Sequence, residues 1–462
     1  MPTKDRYDVV VVGAGAMGLA SAYHLIRNRP ELSVLVVEAR SGPGEGSMAA
    51  SNAMVRDVFS SWDNQVLARS TIAFYRHAMQ EHEELRTPSP LLDLYGYLWL
   101  LPEHRMTEYL SMVTRSERSI DAHEVSLDEL RSCPGLEVAP SKWYEGDEVA
   151  PPERISGGLF ARNCGAVAPE MLARFYYEQA RSHGVEFLFD SVVQRLSFEG
   201  REEILLHEPS KRPFAFQEHM KGRLRISRVN LGSGRSLRAD QVVVAAGAWA
   251  EKLLHPLGFA TACSPRPEVL FSVSGRDVEE LLGWLPPVDP IDADRGQPRF
   301  PFLILPTGAT LKPIFPQRQM WVGCVDSVTH PIGAREDPGR DGTLEYDMAE
   351  MGDREAFSTD VLPAVTPYLP RFESTGVRLE NSWGGYYNFS PDGLPVLVAE
   401  PYGVIFVGGD SGSGVMKADA LGRLVAALYE GKSHAQLFTG ESYPLDRLSL
   451  HRRAVQEEKI IL

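Results

Sequence analysis

The sequence has few cysteines, and their spacing fits neither a zinc site nor a disulfide framework. The chain of 462 residues contains Cys133, Cys164, Cys263 and Cys324, and no two of them form a Cys-x-x-Cys pair. We therefore expect most of these cysteines to be small buried side chains, and we predict no metal site.

Long apolar runs are also missing. No stretch approaches the roughly 18 apolar residues that a membrane-spanning helix needs. The first predicted strand begins at Tyr7, which leaves no room before it for a charged leader, an apolar stretch and a cleavage site. A cytoplasmic location is the expectation that follows.

Basic residues are in the minority. The chain has 47 lysines and arginines against 62 aspartates and glutamates, a formal net charge of −15. Such a surface repels phosphates and anionic headgroups, so no nucleic-acid partner is expected. The hydrophobic content of 43% is ordinary for a globular protein, and 462 residues predict two or three domains.

The N-terminal residues carry the pattern of a βαβ unit. An apolar run from Tyr7 to Val12 predicts a buried parallel strand, and the loop Gly13-Ala14-Gly15-Ala16-Met17-Gly18 follows it. Helical spacing from Leu19 to Arg29 precedes a second apolar run, Leu32 to Val37, which stops at Glu38.

The glycines of this loop have separate mechanical reasons. Gly13 permits the tight turn, Gly15 lets the backbone approach a pyrophosphate, and Gly18 lets the helix pack close to the strand. Glu38 lies 20 residues after Gly18, where its carboxylate can accept hydrogen bonds from ribose hydroxyls and disfavours a 2′-phosphate. The unit predicts a site for the ADP half of NAD or FAD.

A second glycine loop runs from Gly408 to Gly414, between a predicted strand (Val404 to Val407) and a predicted helix (Val415 to Tyr429). A helix N-terminus there could stabilise an anion, such as reduced flavin, and a plain turn explains the loop equally well. Ala245, Ala246 and Gly247 end another buried strand with almost no side chain, which suits close approach of a ligand or of a packed helix.

The remaining pattern predicts a mixed α/β fold. Helices are expected at Gln65 to Glu84 and Pro169 to His183, and a strand at Tyr95 to Leu101. Residues 103–155 look like a separate subdomain. Prolines between Pro265 and Pro316, with strands at 268–273 and 320–324, favour an antiparallel sheet, and 329–350 are expected to form an exposed excursion.

These segments, in this order, resemble the FAD-dependent D-amino acid oxidase superfamily, and within it the branch of sarcosine oxidase β-subunits and L-proline dehydrogenases. The resemblance rests on VVVVGAGAMGLASAYHL, GSMAASNAMVRDVFSS, GYLWLLP, VVVAAGAWAEKLL, LPTGATLKP, WGGYYNFSPDGLPVL and GGDSGSGVMKADALGRLVAALYEG. The first motif occurs in many dinucleotide enzymes, whereas the last two are far more specific.

The resemblance implies a Rossmann-like FAD-binding domain with a parallel sheet and a substrate domain with a mostly antiparallel sheet. We assign residues 1–90, 155–262 and 370–440 to the first domain and 91–154 and 263–369 to the second. Residues 441–462 form a C-terminal tail that could contact a membrane surface or another subunit.

The resemblance also implies noncovalent FAD, because the segment near Cys324 matches poorly the segment through which some relatives attach flavin. The expected FAD-contacting residues lie in the two glycine loops and in the segment from Ser47 to Met54. Others follow the apolar run that ends at Val37 or end the buried strand that closes with Ala245 to Gly247, and Val193 stands apart from these groups. They are Gly13, Gly15, Met17, Gly18, Glu38, Ala39, Arg40, Ser47, Ser51, Asn52, Ala53, Met54, Val193, Ala246, Gly247, Gly412, Ser413, Gly414, Val415 and Met416.

The family reaction is oxidation of a C–N bond in an amino or N-alkyl amino acid, by hydride transfer to flavin N5. By resemblance, Arg56, Lys312 and Tyr387 are the candidates for holding the substrate or acting near N5; a structural ion pair, a solvated lysine and a buried phenol are the alternatives. Ser413 replaces the histidine of the family's closing loop, and the basic residue of that loop is displaced to Lys417 with Met416 in its place.

Four functions are left open. The first is an amine or amino-acid dehydrogenase or oxidase, with oxygen, a quinone or a partner flavoprotein as electron acceptor. The second is oxidation of a 2-hydroxy acid, which would need a base for the hydroxyl proton. The third is a flavoprotein without catalysis of its own, serving assembly or electron transfer. The fourth, an NAD-dependent dehydrogenase, is disfavoured by the closing motif.

Overall fold

The computed structural model describes residues 4–86, 89–115, 120–141, 151–198, 226–286, 299–324, 357–400, 402–450, 452, 458 and 460. The strands in chain order are β1 (Arg6–Val12), β2 (Val34–Val37), β3 (Met54–Val55), β4 (Leu92–Asp93), β5 (Tyr97–Leu101), β6 (Ala122–Val125), β7 (Gly157–Ala161), β8 (Gly165–Val167), β9 (Glu186–Leu188), β10 (Val193–Phe198), β11 (Ile226–Leu231), β12 (Ser236–Val244), β13 (Ser264–Ser274), β14 (Phe302–Ile304), β15 (Ala309–Ile314), β16 (Gln319–Cys324), β17 (Arg378–Phe389), β18 (Val396–Glu400), β19 (Val404–Gly408), β20 (His434–Gln436) and β21 (Ser442–Pro444).

The α-helices flank these strands. They are α1 (Ala16–Asn28), α2 (Ser47–Ala50), α3 (Trp62–Glu81), α4 (Glu103–Arg115), α5 (Leu127–Leu130), α6 (Pro169–Ser182), α7 (Ala250–Leu254), α8 (Arg276–Leu282), α9 (Leu362–Val365) and α10 (Ala418–Tyr429).

The first sheet has the parallel centre that the N-terminal pattern predicts. β1 lies between β2 and β12 and is parallel to both, β9 continues the sheet beyond β2, and β19 pairs in parallel with β12. Val9, Val10 and Val11 are fully buried because helices or further strands cover both faces. The antiparallel pairs β10–β11, β11–β12 and β18–β19 complete this sheet.

The helix α1 packs against α10 at close range. A Cβ at Gly422 would lie 2.6 Å from the carbonyl oxygen of Ala20, so only glycine allows this approach. His24 Nε2 lies 2.7 Å from Asp419 Oδ1 across the same contact. Burial lowers the pKa of His24, against the opposing charge of Asp419. The two helices thus cover one face of the first sheet together.

The second sheet has the strand order β17-β13-β16-β15-β14-β5-β7-β6. The β5–β14 pair is parallel, and the other pairs of the described strands in this sheet are antiparallel. This confirms the antiparallel sheet expected from the proline-rich region. β7 and β17 belong to this sheet although the predicted domain boundaries place their residues in the first domain; those boundaries remain a prediction.

The prediction of a separate subdomain at 103–155 is wrong for its described part. β6 pairs with β7 at the edge of the second sheet. Met106 and Tyr109 of α4 are buried in one cluster with Tyr97 and Trp99 of β5. The polar composition of the segment concealed this apolar helix face. Residues 329–350, expected to be an exposed excursion, lie outside the described residues.

Several element ends differ from the sequence prediction. α1 begins at Ala16, and α3 begins at Trp62, where the Ser61 hydroxyl accepts a hydrogen bond from the backbone N–H of Asn64. The last helix does not begin at Val415: a 3₁₀ turn spans Val415–Lys417, and α10 follows it. The φ angle of −123° at Lys417 interrupts the helical geometry there.

The C-terminal tail folds back onto its own chain at its described residues. Glu458 and Ile460 are 5% and 1% exposed, and Ile460 packs with Tyr97 and Trp99. Contact of the tail with a membrane or another subunit remains a prediction. Within the described part of the chain, the helices are all too short or too polar to cross a bilayer. None of the four cysteines forms a disulfide; Cys133 and Cys164 are buried as expected, whereas Cys263 and Cys324 are partly buried.

Candidate functional site

A cavity of about 840 Å³ opens at the carboxyl ends of β1, β2 and β12 and extends beneath the second sheet. Open parallel sheets bind ligands at this edge because the loops that follow the strands converge there. The cavity is lined by residues of both predicted domains, which are Val12, Gly13, Gly15, Ala16, Met17, Val37, Glu38, Ala39, Arg40, Gly46, Ser47, Met48, Ser51, Asn52, Ala53, Met54, Tyr97, Ser191, Val192, Val193, Gln194, Ala245, Ala246, Gly247, Ala248, Trp249, Lys252, Leu253, Phe302, Tyr386, Tyr387, Asn388, Asp410, Gly412, Gly414, Val415 and Met416.

The glycines of the first loop meet different surroundings. Gly13 has φ +103°, and a Cβ there would lie 2.6 Å from the carbonyl oxygen of Ala245. A Cβ at Gly18 would lie 2.0 Å from the carbonyl oxygen of Gly13. A Cβ at Gly15 would have no described heavy atom within 4 Å. Gly13 and Gly18 therefore serve packing, and Gly15 faces the cavity.

The N-terminus of α1 points at this cavity. Gly15 is the N-cap, no described side chain accepts a hydrogen bond from the first turn, and the first turn contains no acid. The free N–H groups and the positive end of the helix dipole suit a phosphate. Ala16 and Met17 line the cavity beside them, whereas Gly18 lies on the side of the packed strand.

Glu38 organises the turn after β2. Its carboxylate accepts hydrogen bonds from the backbone N–H of Ala14 at 2.6 Å and of Arg40 at 2.9 Å. Glu38, Ala39 and Arg40 line the cavity, and Val193 lines it from the start of β10. The carboxylate has further lone pairs for ribose hydroxyls, and that role remains a prediction.

The segment from Ser47 to Met54 forms a cradle held by the second sheet. Tyr386 donates its backbone N–H to Ser47 Oγ at 3.3 Å, and Trp383 Nε1 donates to the carbonyl oxygen of Ala50 at 3.0 Å. Asn52 Oδ1 is buried and has no hydrogen-bond partner among the described residues. An unpaired buried acceptor in a cavity wall is suited to a ligand's donor. The cradle residues expected to contact FAD, which are Ser47, Ser51, Asn52, Ala53 and Met54, all line the cavity.

The second glycine loop closes the cavity from the opposite side. Gly412 has φ +78°, and a Cβ built there would lie 3.2 Å from the Tyr387 ring. The glycine backbone therefore packs closely against that ring. Gly412, Gly414, Val415 and Met416 line the cavity. Ser413, expected in this set, turns away from the cavity, and its hydroxyl accepts a hydrogen bond from Lys417 Nζ at 2.5 Å.

The wall after β12 is made of small residues, as the sequence predicts. Ala246 and Gly247 line the cavity, and Gly247 has φ +55°. The side-chain amide of Asn388 on β17 donates to the carbonyl oxygen of Gly247 at 3.1 Å. This bond fixes the second sheet against the end of the parallel sheet.

The structure places the three proposed substrate-binding side chains in different surroundings. Tyr387 lines the cavity, and burial, with the nearby charges of Glu268 and Asp410, raises the pKa of its hydroxyl well above the usual value. Lys312 donates to the carbonyl oxygen of Asn52 at 2.6 Å and lies over the Trp321 ring, so it supports the cradle. Burial lowers the pKa of Lys312 to about 8.

Arg56 is 4% exposed and does not line the cavity. Its guanidinium lies over the Phe59 ring at 4.4 Å, and Nη2 donates to the carbonyl oxygen of Ile460 at 2.6 Å. Nε and Nη1 are buried and lack a hydrogen-bond partner among the described residues. Its proposed contact with a substrate carboxylate remains a prediction.

Other cavity-lining side chains were not singled out from the sequence. Tyr97, Trp249, Lys252 and Phe302 all face the cavity. Tyr97 and Phe302 alternate with core-facing residues on β5 and β14, which are adjacent parallel strands. The sequence did not show this alternation, because both strands are continuous apolar runs, and it did not show the pairing of Tyr97 with Phe302, 205 positions away.

The protein-family model described as FAD dependent oxidoreductase matches residues 8–428. FAD-dependent oxidoreductase domain-containing protein 1 of Xenopus laevis is 26% identical over 435 residues, which cover 92% of this chain and 79% of that protein. Monomeric sarcosine oxidase of Arthrobacter sp. (strain TE1826) is 24% identical over 273 residues, 58% of this chain and 59% of that enzyme.

Solved structures share the fold. L-proline dehydrogenase from P. horikoshii superposes with a TM-score of 0.65 at 18% identity, covering 93% of this chain and 94% of that one. Glycine oxidase from Geobacillus kaustophilus gives a TM-score of 0.66 at 19% identity, covering 98% of this chain and 100% of that one. The fold of this chain is therefore shared with these two solved structures.

Proposed function

Because this chain belongs to the FAD-dependent oxidoreductase family, we propose that it oxidises the C–N bond of an amino acid, or of an N-alkyl or cyclic amino acid. The observation that carries the proposal is one continuous cavity, which begins at the glycine loop of the parallel sheet and ends at a wall of aromatic side chains under the second sheet. Relatives named for sarcosine, proline and glycine favour a small amino acid as substrate.

The residues of the cavity fit FAD. Gly15 and the free N–H groups of α1 would hold the pyrophosphate, and Glu38 the adenosine ribose. Asn52 Oδ1, which has no partner among the described residues, supplies an acceptor further along the wall. When bound, FAD would supply a hydride acceptor. The first motif alone fits either NAD or FAD. Membership of the FAD-dependent oxidoreductase family decides for FAD.

The aromatic end of the cavity would exclude water from the reacting C–N bond. Tyr97, Phe302 and Tyr386 line it together with Trp249. Their apolar surface would favour the neutral amine over the ammonium ion, because burial penalises charge. The neutral amine is the form whose lone pair can assist loss of a hydride.

The substrate carboxylate would meet hydrogen-bond donors. A tyrosine hydroxyl is protonated at neutral pH and burial raises the pKa of Tyr387 further, so this group can donate from the cavity wall. Arg56 does not line the cavity, but its guanidinium stays the second proposed donor because its buried Nε and Nη1 have no partner among the described residues. A charge-assisted bond of this kind contributes about 1.5–3 kcal/mol.

Anaerobic reduction tests the proposal. The purified yellow protein is mixed with amino acids, N-methyl and cyclic amino acids, and 2-hydroxy acids, and the flavin absorbance is followed. Bleaching by an amine is expected. Bleaching by hydroxy acids alone would contradict the proposal and support the second function. Mixing the reduced protein with oxygen or a quinone then identifies the acceptor, and FAD released by acid precipitation tests the proposed noncovalent binding.

Tyr387→Phe is the matched variant for substrate recognition. It keeps the ring that packs on Gly412 and removes only the donor, so we expect KM to rise about tenfold with FAD still bound. Tyr402→Phe, which removes a phenol that does not line the cavity, serves as the control. An unchanged KM in Tyr387→Phe would remove this hydroxyl from the site.

A further inference from the structure

Lys417 places a buried ammonium group directly behind the second glycine loop. The residue is 0% exposed. Its Nζ donates to Ser413 Oγ at 2.5 Å and to Asn64 Oδ1 at 2.6 Å, and it lies 4.9 Å from the centre of the Phe59 ring. Lys417 does not line the cavity, and it was not among the proposed substrate-binding residues. The proposed reaction gives it no part.

The link from Lys417 to the cavity runs through Ser413. The Ser413 hydroxyl accepts from Lys417 and donates to the carbonyl oxygen of Asp410, and the Ser413 backbone N–H donates to the same oxygen at 3.0 Å. Asp410 and the neighbours of Ser413, Gly412 and Gly414, line the cavity. The ammonium is therefore one side chain away from the cavity wall, in a region without bulk water.

Asn64 holds the other side of the ammonium in a fixed orientation. Its Nδ2 donates to Glu458 Oε2 at 3.0 Å and to the carbonyl oxygen of Gly393 at 3.1 Å. The amide oxygen is consequently turned toward Lys417 Nζ. The orientation of this cation therefore depends on three elements that are far apart in sequence, which are α3, the loop after β17 and the C-terminal tail.

The charges around Lys417 are nearly balanced. Burial lowers its pKa to about 7, while Glu458 and Asp410 favour the charged form and Arg56 opposes it. A negative charge in the cavity would favour the charged form of Lys417, as Glu458 and Asp410 do. Coulombic interaction over several ångströms is strong in such a low-dielectric interior.

We propose that Lys417 is a positioning residue that keeps a positive charge behind the loop 412–416 and so raises the reduction potential of the bound FAD. FAD that has accepted a hydride bears negative charge on its ring system, and the nearby ammonium stabilises that form relative to the oxidised one. The inference rests on the proposed function only in that FAD occupies the cavity; it needs no particular substrate.

The test is the midpoint potential of FAD in the holoprotein at pH 6.5, measured by dye-coupled reductive titration in wild type, Lys417→Met, Lys417→Gln and Lys417→Arg. We expect Met and Gln to shift the oxidised–reduced equilibrium at least tenfold toward the oxidised form, about 30 mV for a two-electron couple. Lys417→Arg, which keeps the charge, is expected to retain most of the potential. The sulfite adduct of the flavin should weaken by a similar factor in Met and Gln.

Unchanged potentials in both neutral variants would overturn the proposal. Lys417→Gln keeps hydrogen-bond donors, so it decides the question if Lys417→Met fails to hold FAD. Ser413→Ala cuts the link but keeps the ammonium, and an equal shift there would assign the effect to loop geometry and overturn the role of the charge. The potential is measured without substrate, so failure of every amine to bleach the flavin would count against the proposed function alone.

Discussion

Arg56 and Ile460 are 404 positions apart in the chain and share one hydrogen bond, 2.6 Å from Nη2 to the backbone carbonyl oxygen. The same guanidinium lies over Phe59 and carries two buried nitrogens without a partner among the described residues. One side chain thus connects the tail to the neighbourhood in which a carboxylate ligand is proposed.

Arg56→Ala is expected to have two independent effects: a lower free energy of unfolding and weaker binding of the substrate. Loss of the bond to Ile460 and of the packing on Phe59 should lower the free energy of unfolding by about 1–3 kcal/mol, measured by urea denaturation of the FAD-loaded protein. KM for the amine substrate should rise at least tenfold. Arg56→Lys, which keeps charge but not the forked geometry, is the matched control. Reduced stability with an unchanged KM would assign Arg56 to the tail alone.

Glycine substitutions should separate folding from cofactor binding. At Gly18 a methyl group would lie 2.0 Å from the carbonyl oxygen of Gly13, so Gly18→Ala should unfold or misfold the βαβ unit. At Gly15 a methyl group meets open space, so Gly15→Ala should keep the apoprotein's melting temperature and lose FAD affinity at least tenfold. Fluorescence titration with FAD measures the affinity. Equal FAD affinity in Gly15→Ala and wild type would place the pyrophosphate elsewhere.

Lys312→Met tests the support of the cradle. The ammonium of Lys312 donates to the carbonyl oxygen of Asn52, so its loss frees a segment that lines the cavity. We expect the dissociation constant of FAD to rise about tenfold, since a charge-assisted bond contributes about 1.5 kcal/mol. Lys432→Met, at an exposed lysine, is the control and should bind FAD as wild type does. A wild-type affinity in Lys312→Met would show that β17 alone holds the cradle.

Glu458 should make stability depend on pH in the acidic range. Burial raises its pKa, but the charge of Arg56 and the hydrogen bonds from Asn64, Ser60 and Ser61 outweigh that effect and lower it below the ordinary 4.5. A lowered carboxyl pKa stabilises the fold above about pH 4.5, and this contribution is lost as pH falls through the folded-state value.

Glu458→Gln should therefore lower the free energy of unfolding by about 2 kcal/mol at pH 7, and the difference from wild type should shrink below pH 4.5. Urea unfolding between pH 3.5 and pH 7 measures it, with Glu178→Gln at an exposed site as the control. A difference that is constant with pH would mean that the hydrogen bonds, and not the carboxylate charge, hold the tail.

Local pattern predicted the N-terminal βαβ unit well. The strand, the glycine loop, α1 and Glu38 lie within one short stretch of chain, and each follows from the periodicity or backbone geometry of its own neighbours. The predicted residues Asn52, Gly412 and Met416 also line the cavity. These came from a family resemblance, because residues 360 positions apart share no local signal.

The parts that sequence reasoning missed depend on long-range pairing. Ser413 was expected at the cavity, but Lys417 four residues later draws its hydroxyl inward. Tyr97 and Phe302 come together because β5 and β14 pair in parallel. The C-terminal tail binds Arg56 through the backbone carbonyl of Ile460. Every residue type has such a carbonyl, so the identity of residue 460 could not predict this contact.

The close fit of α1 against α10 has a consequence for synthesis of the chain. The surface around Ala20 that Gly422 covers belongs to α1, and its partner α10 follows 402 positions later in the chain. While the residues between α1 and α10 are synthesised, the apolar face of α1 therefore lacks its final cover, although the glycine loop beside it is already complete in sequence. Nascent chains of this protein should need protection from aggregation until residues 418–429 emerge, and an N-terminal fragment that ends before them should not persist as a folded dinucleotide-binding unit.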